Sequence, residues 1–103
     1  DDRLLRPMSI RSLVGRVIRN RIGCAQREGD GVIVYRFARL GAGLAPDDVG
    51  AQLTWAQAAE QIGARGEAMR LYLQIARQHR GTPPARVASV RAAALVGHHD
   101  SLH

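Results

Sequence analysis

The sequence has no lysine, one cysteine and four aromatic residues among its 103 positions. Each scarcity excludes something. A lone Cys24 can form neither an intramolecular disulfide nor a cysteine-rich zinc site, which fits a reducing compartment. With so few aromatics and so much alanine and glycine, the core must be built from small aliphatics. Such residues suit closely approaching helices better than a thick sandwich. No apolar run nears the roughly 20 residues that span a bilayer, and no stretch reads as a signal peptide. The first residue is Asp1 rather than Met, so an excerpt of a longer chain is the expectation.

What is present in quantity is arginine. All fifteen cations are Arg against nine acids, a net charge of +6, which favours acidic partners because summed charge steers encounter. Nucleic acid is one such partner. Against it, the arginines are scattered along the chain and do not interleave with aromatics as on an RNA-binding sheet. A hydrophobic content of 46% with 23% charged residues describes one globular domain.

Apolar spacing predicts helices throughout. Pro7 argues against a helix before it, and Ser9 reads as the N-cap of a helix from Ile10. Its apolar positions run Leu13, Val14, Val17, Ile18, Ile22 and Ala25, and Gly29-Asp30 ends it. The next stretch, "GVIVYRFARLGAGLAP", has β-branched and aromatic letters that favour a strand. No partner strand exists elsewhere, however, and Val34, Phe37, Ala38 and Gly41 fall on one helical face. Helix is therefore expected, weakened by its glycines. After Pro46-Asp47-Asp48, one helix carries Trp55, Ala58, Ala59 and Ile62, and another carries Ala68, Leu71, Tyr72, Ile75 and Ala76. Gly81-Thr82-Pro83-Pro84 breaks the chain before a last helix at about Ala85 to Val96, which presents Val87, Val90 and Leu95.

Gly29 and Gly63 both end a helix and lie 34 residues apart; the same offset pairs Val34 with Ala68 and Ala38 with Tyr72. A helix-turn-helix unit of that length is the tetratricopeptide period. The expected fold is all-α: antiparallel helix hairpins in a tetratricopeptide-like superhelix. Two degenerate repeats, at about 15 to 48 and 49 to 82, precede a capping helix. Residues 1–9 are read as a linker from a missing N-terminal domain, 10–96 as the helical domain, and 97–103 as a flexible tail. Two repeats and a cap fall below the ~3 repeats usually needed for a stable array, so the chain alone should be marginally stable.

The lead-in Leu5 to Arg11, Asn20, the "REGD" turn at Arg27 to Asp30, "APDD" at Ala45 to Asp48 and Trp55 to Ala59 together resemble a known arrangement. It is that of the C-terminal part of bacterial SirB-type proteins, which join a transglutaminase-like domain to tetratricopeptide repeats. Arg19 stands where that family has a first Asn of an Asn-Asn pair, and glycines replace Ala and Leu in the second helix. The resemblance implies a bacterial, cytoplasmic interaction module whose partner is a protein segment or the transglutaminase-like domain. It implies no catalysis for these residues.

The remaining chemistry is sparse. Cys24, between Gly23 and Ala25, reads as a buried, inert thiol rather than a nucleophile. His98, His99 and His103 with Asp100 lie in a stretch read as a flexible tail, which would pay ordering entropy to hold a metal, so no metal and no cofactor is expected. The concave-groove positions of a tetratricopeptide unit hold Arg16, Arg19, Gly23, Gln26 and Arg27 in the first repeat. In the second they hold Gly50, Leu53, Gln57, Glu60 and Gln61. Arg16, Arg19 and Arg27, with Gln57 and Glu60, are the candidate partner-binding residues; their arginines suit carboxylates. A full carboxylate clamp would want asparagines where Gly23 and Thr54 stand.

Overall fold

A computed structural model describes the backbone of residues 7–101 and the side chains of residues 10–97. Most of the expected linker lies outside these limits, as do the side chains of His98, His99, Asp100 and His103. Within them the chain forms five helices, α1 (Pro7–Glu28), α2 (Gly31–Leu44), α3 (Val49–Gln61), α4 (Arg65–Gln78) and α5 (Pro83–Ser101), and no strand. The all-α reading holds, including the helical assignment of the strand-like stretch.

The ends of the helices follow from local chemistry. Pro7 occupies the first position of α1, where its missing N–H would be unsatisfied anyway; Ser9 is therefore inside the helix and not its N-cap. Asp30 caps α2 by accepting from the Ile33 N–H at 3.1 Å, and Asp48 caps α3 by accepting from the Ala51 N–H at 3.2 Å. Thr82 does the same for α5, accepting from Ala85 N–H, so that helix starts at Pro83. It also runs on to Ser101, beyond the Val96 end and into the stretch expected to be tail.

The 34-residue period is geometric as well as sequential. α2 and α4 begin and end 34 residues apart, and so do the starts of α3 and α5. Gly29 and Gly63 adopt φ of 73° and 86°, a left-handed turn conformation that favours glycine. The turn hydrogen bonds repeat with them: Asp30 N–H donates to the Ala25 carbonyl and Ala64 N–H to the Ala59 carbonyl, both at 2.9 Å. At the far ends, Ala45 N–H donates to Gly41 O at 3.1 Å and His79 N–H to Ile75 O at 3.0 Å. α5 thus stands where α3 would stand in a following unit.

Packing is serial. Each helix contacts the one before and after it, α3 also touches α5, and among the described residues α1 packs against α2 alone. The result is elongated, 60 × 33 × 17 Å with a radius of gyration of 15.3 Å, above the ~13 Å of a compact 100-residue domain. Ten of the sixteen buried apolar residues are alanines, so helices approach closely rather than interdigitate large side chains. At Gly41 α1 and α2 come close: a Cβ there would lie 3.3 Å from Ile18 Cγ2.

The core differs from the apolar pattern in two places. Among the described side chains of α1 only Ile18 and Ala25 are buried; Ile10, Leu13, Val14 and Val17 are exposed. In α5 the buried residues are Ala85, Ala88, Ala92 and Leu95, while Val87 and Val90 face outward. In both helices alanines or later positions meet the neighbour, and the larger aliphatics that dominate a hydropathy reading do not. The larger cluster joins α3, α4 and α5 around the fully buried Tyr72; a smaller one of Ala25, Val34, Ala38 and Ala58 holds the first hairpin.

Candidate functional site

One face of α1 supplies most of a groove. Arg11, Gly15, Ile18, Arg19, Ile22 and Gln26 lie at helical spacing and line a cavity of about 490 Å³ between α1, α2 and α3. Ala38 and Gly41 of α2 and Ala51 and Thr54 of α3 complete its mostly apolar lining. Arg11 and Arg19 bring positive charge to it. The carboxylate Asp48 also lines it but is engaged as the α3 cap.

A second cavity of about 380 Å³ adjoins the first, sharing Gln26 and Thr54. Its lining is polar: Gln57, Glu60 and Gln61 from α3, Tyr72 from α4 and Arg91 from α5. The groove therefore has an apolar half with arginines and an amide-rich half. Extended peptide backbone can hydrogen-bond to side-chain amides such as those of Gln26, Gln57 and Gln61.

Two carboxylates organise the walls. Glu60 pairs with Arg91, which also donates from Nε at 3.2 Å, and accepts from the Tyr72 hydroxyl at 2.8 Å. Arg91's hydrogen bond holds the Glu60 carboxyl below the usual glutamate range, against the opposing effect of burial. Burial, reinforced by the hydrogen bond to Glu60, pushes the Tyr72 phenol above its ordinary value. On α4, Glu67 accepts from the Tyr35 hydroxyl at 2.8 and 2.9 Å and from Trp55 Nε1 at 3.1 Å. That one side chain ties α2, α3 and α4 together. Gln52 Nε2 adds a bond to the Ala42 carbonyl at 3.2 Å and so holds the α2–α3 connection.

The candidate residues are divided by this geometry. Arg19, Gln57 and Glu60 line the groove. Arg16 and Arg27 are exposed but are not among its lining residues, and Leu53 packs into the core. Glu60 faces the groove already paired. Cys24 is exposed rather than buried, and its Sγ accepts from Arg27 Nη2 at 3.3 Å. Trp55 is half-buried and hydrogen-bonded, where a plain core residue was expected.

Arg11 and Arg91 escaped the sequence reading. Arg11 lies eight residues before Arg19, on the same helical face, but falls outside a repeat frame that begins near residue 15. Arg91 reaches Glu60 from 31 positions away, and no local pattern announces that.

The arginines are spread along the chain, but the acids that balance them are not. Residues 7–44 carry seven arginines and two acids, whereas residues 45–101 carry six and five. The first hairpin is thus the cationic part of the molecule. Among the described residues no three His, Cys, Asp or Glu side chains come together as a metal site would require, and no helix is long and apolar enough to cross a membrane. No protein-family model matches the chain, and neither a curated protein nor a solved structure matches it.

Proposed function

We propose that the chain is a tetratricopeptide-like interaction module whose groove holds a protein segment in extended form. The observation that carries this is the groove itself: an apolar half with Arg11 and Arg19, continued by Gln26, Gln57 and Gln61. The segment it suits has an apolar side chain and a carboxylate at one end, with backbone presented to the amides at the other. The repeated turn geometry supports the tetratricopeptide comparison. The SirB-type resemblance makes a transglutaminase-like domain the natural neighbour, and the bacterial cytoplasm the natural setting.

Fluorescence anisotropy with labelled peptides tests this reading. Peptides pairing an apolar residue with Asp or Glu should bind, and Arg11→Glu with Arg19→Glu should weaken them tenfold or more (about 1.4 kcal/mol). Arg16→Glu with Arg27→Glu makes the same charge change outside the groove and should weaken them less. Equal losses from both pairs would refute a groove-specific contact.

The excess of arginine over acids on the first hairpin favours one second reading, a small basic helical nucleic-acid-binding protein. A salt titration distinguishes them. Nucleic-acid affinity should fall steeply and log-linearly with salt, through counterion release, and a groove with an apolar half should respond less.

A further inference from the structure

We infer that the first three turns of α1 form a second docking surface, separate from the groove, for an amphipathic helix that carries carboxylates. α1 has 22 residues and α2 has 14. In an antiparallel hairpin with a tight turn, the N-terminal turns of α1 therefore run past the end of α2. A helical extension of that length is marginal in water without tertiary contacts.

An apolar stripe runs along that extension and the turn after it. Ile10, Leu13, Val14 and Val17 fall at i, i+3, i+4 and i+7, the spacing of a packed face, yet they are 50%, 58%, 38% and 49% exposed. Ile18 and Ala25, which are buried, lie along one flank of the stripe, next to Val14 around the helix, and not within it. α2, α3 and α4 each have a helix on both sides, whereas α1 has α2 alone among the described residues. A helix seated on the stripe would continue the packing that the rest of the stack already shows.

Charge selects what that helix carries. α1 has five arginines, Arg11, Arg16, Arg19, Arg21 and Arg27, and one acid, Glu28. Arg21 sits one turn beyond Val17 on the same face, and Arg16 flanks the stripe. Both are exposed, and neither has an ion-pair partner among the described residues. Pairing two copies through α1 would set arginine against arginine. The exposed face of α5, with Val87 and Val90, offers no acid between residues 83 and 97. A second copy is therefore a poor occupant. A lipid surface is also poorly matched: the stripe is short and purely aliphatic, without the Trp or Phe of interfacial helices. A partner helix with an aliphatic stripe and Asp or Glu opposite Arg16 and Arg21 satisfies both the apolar and the charged part of the face.

Cys24, the chain's one thiol, is exposed seven residues beyond Val17 and can carry an environment-sensitive dye. The probes are two synthetic amphipathic helices with the same leucine stripe, one flanked by glutamates and one by lysines. The glutamate helix should shift the dye emission and bind on the order of tenfold tighter than the lysine helix, as a few exposed ion pairs allow. It should also slow amide exchange over residues 8–17. Val17→Ser with Arg21→Glu should cut that affinity by a similar factor with the circular dichroism spectrum unchanged; Arg77→Glu, an exposed change on α4, should not. Equal affinity for the two helices would overturn the inference. So would a dye shift with anionic vesicles and not with the glutamate helix, or concentration-dependent dimerisation through the stripe. The groove reading depends on Arg11 and Arg19, so either proposal can fail alone.

Discussion

Gly63→Ala and Gly66→Ala make the same chemical change three residues apart, and they should move stability in opposite directions. Gly63 has φ of 86°, and an added Cβ would meet no atom within 4 Å. The cost there is pure backbone: an L-residue held left-handed loses about 1–2 kcal/mol. Restricting the unfolded chain returns about 0.4–1 kcal/mol, so the net loss is about 1 kcal/mol. Gly66 lies in the first turn of α4, also with nothing within 4 Å, and its φ is not positive. Alanine there should gain about 0.5–1 kcal/mol. For a domain of this size 1 kcal/mol moves Tm by roughly 4–8 °C, so the two melting temperatures should separate by roughly 6–16 °C. Thermal and urea unfolding followed by far-ultraviolet circular dichroism measures this directly. Gly29→Ala, at the equivalent turn, should repeat the loss. Shifts of the same sign at Gly63 and Gly66 would refute the assignment of a left-handed turn to the 34-residue period.

Further outcomes follow from the carboxylate contacts and the uneven core. Because Arg91 lowers the Glu60 pKa in the folded chain, that contribution is whole above the ordinary glutamate value of about 4.3 and is lost as pH falls through the lowered value. Glu60→Gln should flatten the acid limb of a profile of urea midpoint against pH; an identical limb would contradict the pairing. The raised Tyr72 pKa acts at the other extreme, with stability present below about pH 10 and declining above it, a decline Tyr72→Phe should reduce. Glu67→Ala strands the Tyr35 hydroxyl and Trp55 Nε1, so it should cost about 2 kcal/mol and alter Trp55 emission; an unchanged spectrum would speak against that contact. Hydrogen exchange should open α2 before α4, since α2 packs in the smaller cluster; the reverse order would refute that ranking.

Much of the helical layout was legible because the signals are local. The turns at Gly29-Asp30 and Pro46-Asp47-Asp48 act within one or two helical turns, and the 34-residue offset shows the glycine turn twice. The β-branched run in α2 misleads only when read alone, since the missing partner strand decides it. What was not legible is which helical face meets a neighbour. Hydropathy ranks Val87 and Val90 above Ala85 and Ala88, but close packing of α5 on α4 buries the alanines. The same effect hid the exposure of Leu13 and Val17. In the candidate groove, Arg19, Gln57 and Glu60 were recoverable from the repeat frame. Arg16 and Arg27 lie outside the cavity lining, because the frame fixes a position along the helix more surely than its rotation. Glu60's engagement with Arg91 and Tyr72 depends on tertiary closure between three helices.

The serial packing also bears on how the chain acquires its structure. α3·α5 is the one described contact that skips a helix, so nearly every contact forms between segments adjacent in sequence. Low contact order of this kind is associated with folding in microseconds to milliseconds. During synthesis each helix emerging from the ribosome finds its packing partner in the one made just before it. α2 can settle on α1, and α3 on α2, with no need for the C-terminal residues. Assembly then proceeds from the arginine-rich hairpin toward Arg91, whose closure on Glu60 comes among the last tertiary contacts to form.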